Sequence, residues 1–140
     1  ALQSNKEIVS GLIFDPIKDE MFFAEKNKGS YLNNRRLRVS KKNLIDDCLF
    51  SSNHVGVRFS NFNMRYTGCA ALDLAYVAAG RFDGFFHNDI NIWDVAAGSL
   101  MVQEAGGVVN DLNKFKDNAI NIRASSDGIN DKMLRELENF

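Results

Sequence analysis

The chain has 140 residues, enough for one domain with a sizeable core, and its hydrophobic and charged fractions of 45% and 25% are those of an ordinary soluble protein. A formal net charge of −1 excludes a general nucleic-acid or anionic-membrane binder, which needs a clustered excess of Lys and Arg. No apolar run is long enough to span a bilayer and the N-terminus lacks a signal-peptide pattern, so a cytoplasmic location is expected, with Cys48 and Cys69 as two buried, reduced thiols.

Glu7–Phe14 and Glu20–Glu25 are rich in β-branched and aromatic residues, and Asp15-Pro16-Ile17-Lys18-Asp19 between them has turn chemistry, which predicts an antiparallel hairpin. Residues 28–34 turn into a further strand over Arg36–Ser40, whose charged and apolar residues alternate. The basic run Arg35-Arg36-Leu37-Arg38 with Lys41-Lys42 is read as a solvated strand or turn. A boundary at residues 40–43 divides an antiparallel sheet piece, 1–42, from an α/β unit, 43–140.

In the second part, Cys48–Ser52 and Asn61–Tyr66 read as strands. Ala71, Leu74, Ala75 and Ala78 recur at helical spacing, and Gly80 closes that helix. Phe82–Phe86 returns to strand. The stretch that begins at Ile92 supplies the next helix, with Asp94 at its start and Gly106-Gly107 at its end, followed by an extended segment over Gly107–Asp111, a strand over Ile120–Ala124 and a last helix over Asp127–Glu138 capped by Asp127. Alternation or helical spacing places Ile8, Leu12, Phe22, Leu49, Leu74, Val77, Phe85, Leu100 and Val108 in the core.

The stretch Ile92–Val109 organises the rest. Asp94 stands at a helix start, small residues follow, and Gly106-Gly107 end the helix before an apolar pair. Two readings of this spacing stand: a simple N-cap, or a carboxylate held by the positive end of the helix dipole where a metal ion or a polyol hydroxyl can meet it.

Trp93-Asp94-Val95-Ala96-Ala97-Gly98 through Glu104-Ala105-Gly106-Gly107 resembles the C-terminal signature of the inositol monophosphatase family. The segment Arg65–Phe86 resembles the stretch before that signature, particularly in bacterial members of the extragenic suppressor (SuhB-like) type, and Gly29–Asn33 with Leu37–Ser40 resembles the strand and turn after the family's aspartate-rich motif. The resemblance implies an α/β fold of layered helices and sheets, of which this chain holds a part. It also implies a Mg²⁺-dependent phosphomonoesterase, with clustered carboxylates holding the metal, that acts on inositol monophosphate or a similar small sugar or polyol phosphate, and a homodimer that does not engage membranes.

By matching position Asp94 is the family's C-terminal metal ligand, on the leaving-group side of the catalytic centre. Gly68-Cys69-Ala70 matches the small-residue turn whose backbone approaches the substrate hydroxyls; close helix packing asks for the same small residues, so both readings stand. His87 replaces the usual substrate-binding glutamate, which implies either a different substrate preference or a decayed site, beside the plainer reading of a half-exposed strand histidine. The family's glutamate and Asp-Pro-Ile-Asp-Gly-Thr ligand motifs have no counterpart here, and Asp15–Asp19 is only a turn, so these 140 residues by themselves are expected to be inactive. The interval 53–62 is also shorter than the loop and helix the family places there. The alternative function is a non-catalytic interaction protein of the suppressor type that acts with transcription or RNA-processing machinery.

Overall fold

In a computed structural model the described residues are 1–54, 59–110, 112, 118–138 and 140. The first strands are β1 (Leu2–Ser4), β2 (Glu7–Asp15), β3 (Glu20–Glu25), β4 (Gly29–Leu32) and β5 (Arg35–Arg36), paired in chain order as an antiparallel meander. The predicted hairpin is β2–β3, and its turn is tied by Asp15, whose Oδ1 accepts the N–H groups of Ile17 at 3.0 Å and Lys18 at 3.3 Å. Asn33 and Asn34, both at positive φ (44° and 67°), supply the two-residue β4–β5 turn that right-handed sheet twist favours.

The strand expected over Arg36–Ser40 is cut to Arg35–Arg36. Beyond it the chain leaves the sheet: Leu37 is buried and Val39 N–H donates to Ala105 O at 3.1 Å. Lys42 then pairs with the buried carboxylate of Asp83 at 3.0 Å, and the same Asp83 oxygen accepts Leu49 N–H at 2.7 Å.

The second sheet contains β6 (Leu49–Ser51), β7 (Asn63–Arg65), β8 (Gly84–Asn91), β9 (Gly107–Asn110) and β10 (Ala119–Ser126), in the order β7-β6-β8-β10-β9. β7, β6 and β8 are parallel, whereas β8, β10 and β9 are antiparallel. β8 runs five residues past the predicted end at Phe86. The helices are α1 (Ala70–Ala78), α2 (Ile92–Glu104) and α3 (Asn130–Glu136). The last helix is shorter than predicted: Asp127–Ile129 forms a 3₁₀ turn, and Asp127 caps nothing because Ile129 occupies the position before α3.

α1 and α2 lie between the two sheets. A single apolar core joins Ile13, Phe22 and Leu32 of the first sheet to Leu74 and Val77 of α1, Val95 and Met101 of α2, and Phe85 and Ile122 of the second sheet. Alternation along β8 sends Phe86 to the opposite face, where it packs with Phe50, Ile129 and Met133 under α3.

Five of the nine predicted core residues, Phe22, Leu74, Val77, Phe85 and Leu100, are buried; Ile8, Leu49 and Val108 are partly so. Leu12 is the exception, 52% exposed. The helix decides this register. α2 meets the first sheet so closely at Gly11 that a Cβ there would stand 2.8 Å from Ala97 Cα, which turns Gly11 and Ile13 inward and Leu12 and Phe14 outward. A second close approach fixes the helix pair: a Cβ on Gly98 would stand 2.4 Å from Leu74 Cβ.

Candidate active site

The predicted site residues lie on the segments around the carboxyl ends of the parallel strands: the turn before α1, the second half of β8 and the first turn of α2. α1 returns to the start of the second sheet, where Asp83 N–H donates to Leu49 O at 2.8 Å. Its N-terminal turn is tied at the other end of β6, where Gly68 N–H donates to Asn53 Oδ1 at 3.0 Å. α2 begins directly after β8. The carboxyl ends of β6 and β8 therefore face the N-termini of α1 and α2, the usual place for a ligand in an open α/β sheet.

Gly68 has a φ of +83° and no heavy atom within 4 Å of a Cβ built on it, so glycine is needed here for its backbone conformation rather than for lack of space. Cys69 precedes α1 in an extended conformation and is exposed, against the expectation of two buried thiols, because a position before a helix start lies outside the packed face. Its N–H donates to Thr67 Oγ1 at 3.2 Å, and the Thr67 hydroxyl donates to Asp73 Oδ1 at 2.6 Å. Asp73 itself is fully buried, and burial pushes its carboxyl up to about 6, with Thr67 and Asn53 drawing it partly back. Ala70 is buried at the start of the helix.

His87 lies in β8, half-buried, beside a bulge where the register with β10 slips between Ile120 and Ile122. Its ring stacks on His54 with centroids 4.3 Å apart. Burial, His54 and Arg123 all press its pKa downward, outweighing the carbonyl of Asn88. Asn53 and His54 are adjacent, so one bonds the Gly68 turn while the other stacks on His87. The two predicted substrate segments are thus joined through a pair of residues that sequence reading missed. The signal available in the chain was only a polar Ser-Ser-Asn-His run after a buried strand.

Asp94 is the third residue of α2, not its cap; Asn91 occupies the cap position and makes no side-chain cap hydrogen bond. The Asp94 carboxylate is exposed at the positive end of the helix and makes no hydrogen bond or ion pair among the described residues. Nor do the described residues contain any group of three or more His, Cys, Asp or Glu side chains able to hold a metal ion. The described donors therefore do not complete a Mg²⁺ site by themselves: Asp94 stands there as an open carboxylate. A cleft of about 950 Å³ is lined by residues that include Ile8, Ile92, Trp93, Ala96 and Leu100, and none of the predicted site residues lines it.

No described helix is long and apolar enough to cross a membrane. The family model for the inositol monophosphatase family matches residues 1–138. The chain is 42% identical over 122 residues to the inositol-1-monophosphatase of Rhizobium meliloti strain 1021, covering 76% of this chain and 46% of that protein. It is 43% identical over 116 residues to Nus factor SuhB of Escherichia coli K12, covering 72% and 43%. It thus spans about half the length of these relatives. Among solved structures it resembles the extragenic suppressor protein suhB of Bartonella henselae, with a TM-score of 0.89 and 43% identity over 97% of this chain and 61% of that one. The IMPase of Thermotoga maritima follows at a TM-score of 0.87 and 33% identity, over 97% and 58%. With matched sequence along nearly its whole length and a matched α/β fold, the chain belongs to the inositol monophosphatase family.

Proposed function

We propose that the protein carrying this chain is a Mg²⁺-dependent phosphomonoesterase that hydrolyses inositol monophosphate or a similar small polyol phosphate. The observation that supports it most is the meeting of two helix N-termini, the Gly68–Ala70 turn and the open Asp94 carboxylate at the carboxyl ends of parallel strands. Helix N-termini favour an anionic phosphoryl group, and the exposed backbone of a small-residue turn lets hydroxyls approach. Asp94 supplies one oxygen ligand to Mg²⁺, a cation that uses few protein carboxylates and completes its shell with water and phosphate oxygens. The chemistry Mg²⁺ would supply beside Asp94 is activation of a water and neutralisation of charge on the phosphoryl group. The residues of this chain have the narrower task of orienting the polyol and leaving one carboxylate free.

Among the described residues no further carboxylate joins Asp94 in a metal site, so the activity proposed is that of the protein that carries this chain. The test is phosphate release from myo-inositol 1-phosphate by that protein with and without Mg²⁺. Release that needs Mg²⁺ is expected; no release from this or other small polyol phosphates refutes the reading.

A second reading is favoured by the 43% identity to a protein named Nus factor SuhB: the protein acts with transcription machinery through its surface, as a homodimer. An Asp94→Asn variant separates the two, since it removes catalysis and leaves a surface interaction in place.

A further inference from the structure

The bulge in β8 releases both polar groups of the Asn88 backbone from the strand ladder, and two imidazoles take them. Asn88 N–H donates to His54 Nε2 at 3.0 Å, and Asn88 O lies 2.6 Å from His87 Nδ1. A backbone N–H can only donate and a carbonyl can only accept. His54 Nε2 therefore holds a lone pair, and His87 Nδ1 holds a proton. A neutral imidazole carries one donor and one acceptor, so both rings are Nδ1–H tautomers, and each has one nitrogen left over. His54 is left with an Nδ1–H donor and His87 with an Nε2 acceptor. Neither nitrogen has a partner among the described residues.

The pair is held rigidly. Its rings stack at 4.3 Å with 26° between planes, and the edge of the Phe140 ring packs on His54 at 4.9 Å. Asn88 is fixed by its own side chain, which donates to Phe140 O at 2.9 Å and accepts from Arg123 at 2.6 Å, while Arg123 also donates to His87 O at 3.1 Å. Burial, foremost, and the nearby Arg123 cation hold the His87 imidazole below its ordinary pKa. The two bonds to Asn88 leave the stacked pair with one donor nitrogen on His54 and one acceptor nitrogen on His87.

We propose that His54 and His87 act as one unit that reads two neighbouring hydroxyls of the substrate, His87 Nε2 accepting from one and His54 Nδ1–H donating to the other. This rests on the reading of His87 as a substrate residue, and His54 becomes a specificity-determining residue next in the chain to Asn53, which holds the Gly68 turn. A vicinal diol, which offers a donor and an acceptor on adjacent carbons, fits such a pair; an unsubstituted aryl phosphate does not engage it.

The experiment has two readouts on the protein that carries this chain. Imidazole ¹⁵N NMR is expected to show Nδ1–H tautomers at both histidines and shifts of His54 Nδ1 and His87 Nε2 when myo-inositol 1-phosphate is added without Mg²⁺. His54→Phe keeps a stacked ring and removes the nitrogens; it is expected to lower the preference for myo-inositol 1-phosphate over p-nitrophenyl phosphate, as a ratio of kcat/KM, about tenfold, with His54→Gln restoring part of it. An Nε2–H tautomer at either ring, or an unchanged ratio in His54→Phe, overturns the proposal. If the wild type hydrolyses neither phosphate, the phosphatase reading fails and the diol fails with it. A hydrolytically active wild type with the wrong tautomers sinks the histidine pair alone.

Discussion

Removing the Glu104 carboxylate should loosen the first sheet from α2. Glu104 ends that helix, and its two oxygens are both used across the layer: Oε1 accepts Asn27 N–H at 2.8 Å and Oε2 accepts Gly29 N–H at 2.9 Å. Those N–H groups belong to the β3–β4 turn, where Asn27 has φ 64° and Gly29 φ 98°, and where the Arg36 guanidinium would stand 3.2 Å from a Cβ on Gly29. The turn cannot bond its own amides elsewhere in that conformation. A hydrogen bond to a charged acceptor contributes roughly 1.5–3 kcal/mol when buried; here the Asn27 bond is exposed and the Gly29 bond part-buried, which lowers the worth of the pair. Glu104→Ala is therefore expected to cost about 1–2 kcal/mol, since it leaves the part-buried Gly29 amide without its acceptor while water can reach Asn27. Glu104→Gln keeps one acceptor and aims an amide N–H at the other donor, so it should fall between. Urea unfolding of the whole protein measures this as a lower midpoint at unchanged slope. An Ala variant within about 0.5 kcal/mol of wild type would refute the clasp, because that is the scale of an ordinary surface change.

Three other outcomes follow from the packing. Gly98→Ala must push α1 and α2 apart at Leu74, and about 1–3 kcal/mol of destabilisation is expected in the same urea assay, whereas Gly68→Ala should suffer from its positive φ rather than from crowding. Asp73 binds its proton more tightly folded than unfolded, so its stabilising contribution is complete below about pH 4 and is lost as pH rises through about 6; Asp73→Asn should flatten that part of the stability–pH curve, and equal slopes would contradict it. The outer face of the first sheet exposes Leu12, Phe14, Met21 and Phe23 side by side, so the 140-residue chain on its own should self-associate with rising concentration in sedimentation experiments, and a Phe14→Lys, Phe23→Glu variant should not.

Local chemistry in the sequence carried most of the fold. Asp15–Asp19 and Asn33–Asn34 announce their turns because Asp and Asn side chains bond nearby backbone or tolerate positive φ, and the α1 periodicity names its buried face. What was hidden depends on contacts between distant segments. Leu12 and Ile13 are equally apolar, and only the approach of Ala97 to Gly11 chooses between them. Asp94 looked like a cap because an acid near a helix start usually is one; Asn91, three residues earlier, takes that place. His54, 33 residues from His87, carries no pattern of its own and is brought to it only by the parallel pairing of β6 with β8. The expectations that fall in part on residues 55–58, 111 and 113–117, including the shortened interval after Asn53 and the end of the extended segment at Asp111, lie outside the described residues.

The role assigned to Asp94 is tested most directly by comparing the Mg²⁺ dependence of phosphate release from myo-inositol 1-phosphate in the wild-type protein and in Asp94→Asn. The side chain is exposed and bonds nothing among the described residues, so the substitution should leave the urea midpoint in place. Loss of a ligand to the catalytic ion should still lower kcat/KM by about a hundredfold or more and raise the Mg²⁺ concentration needed. An Asp94→Asn protein with wild-type activity and an unchanged Mg²⁺ requirement would contradict the assignment.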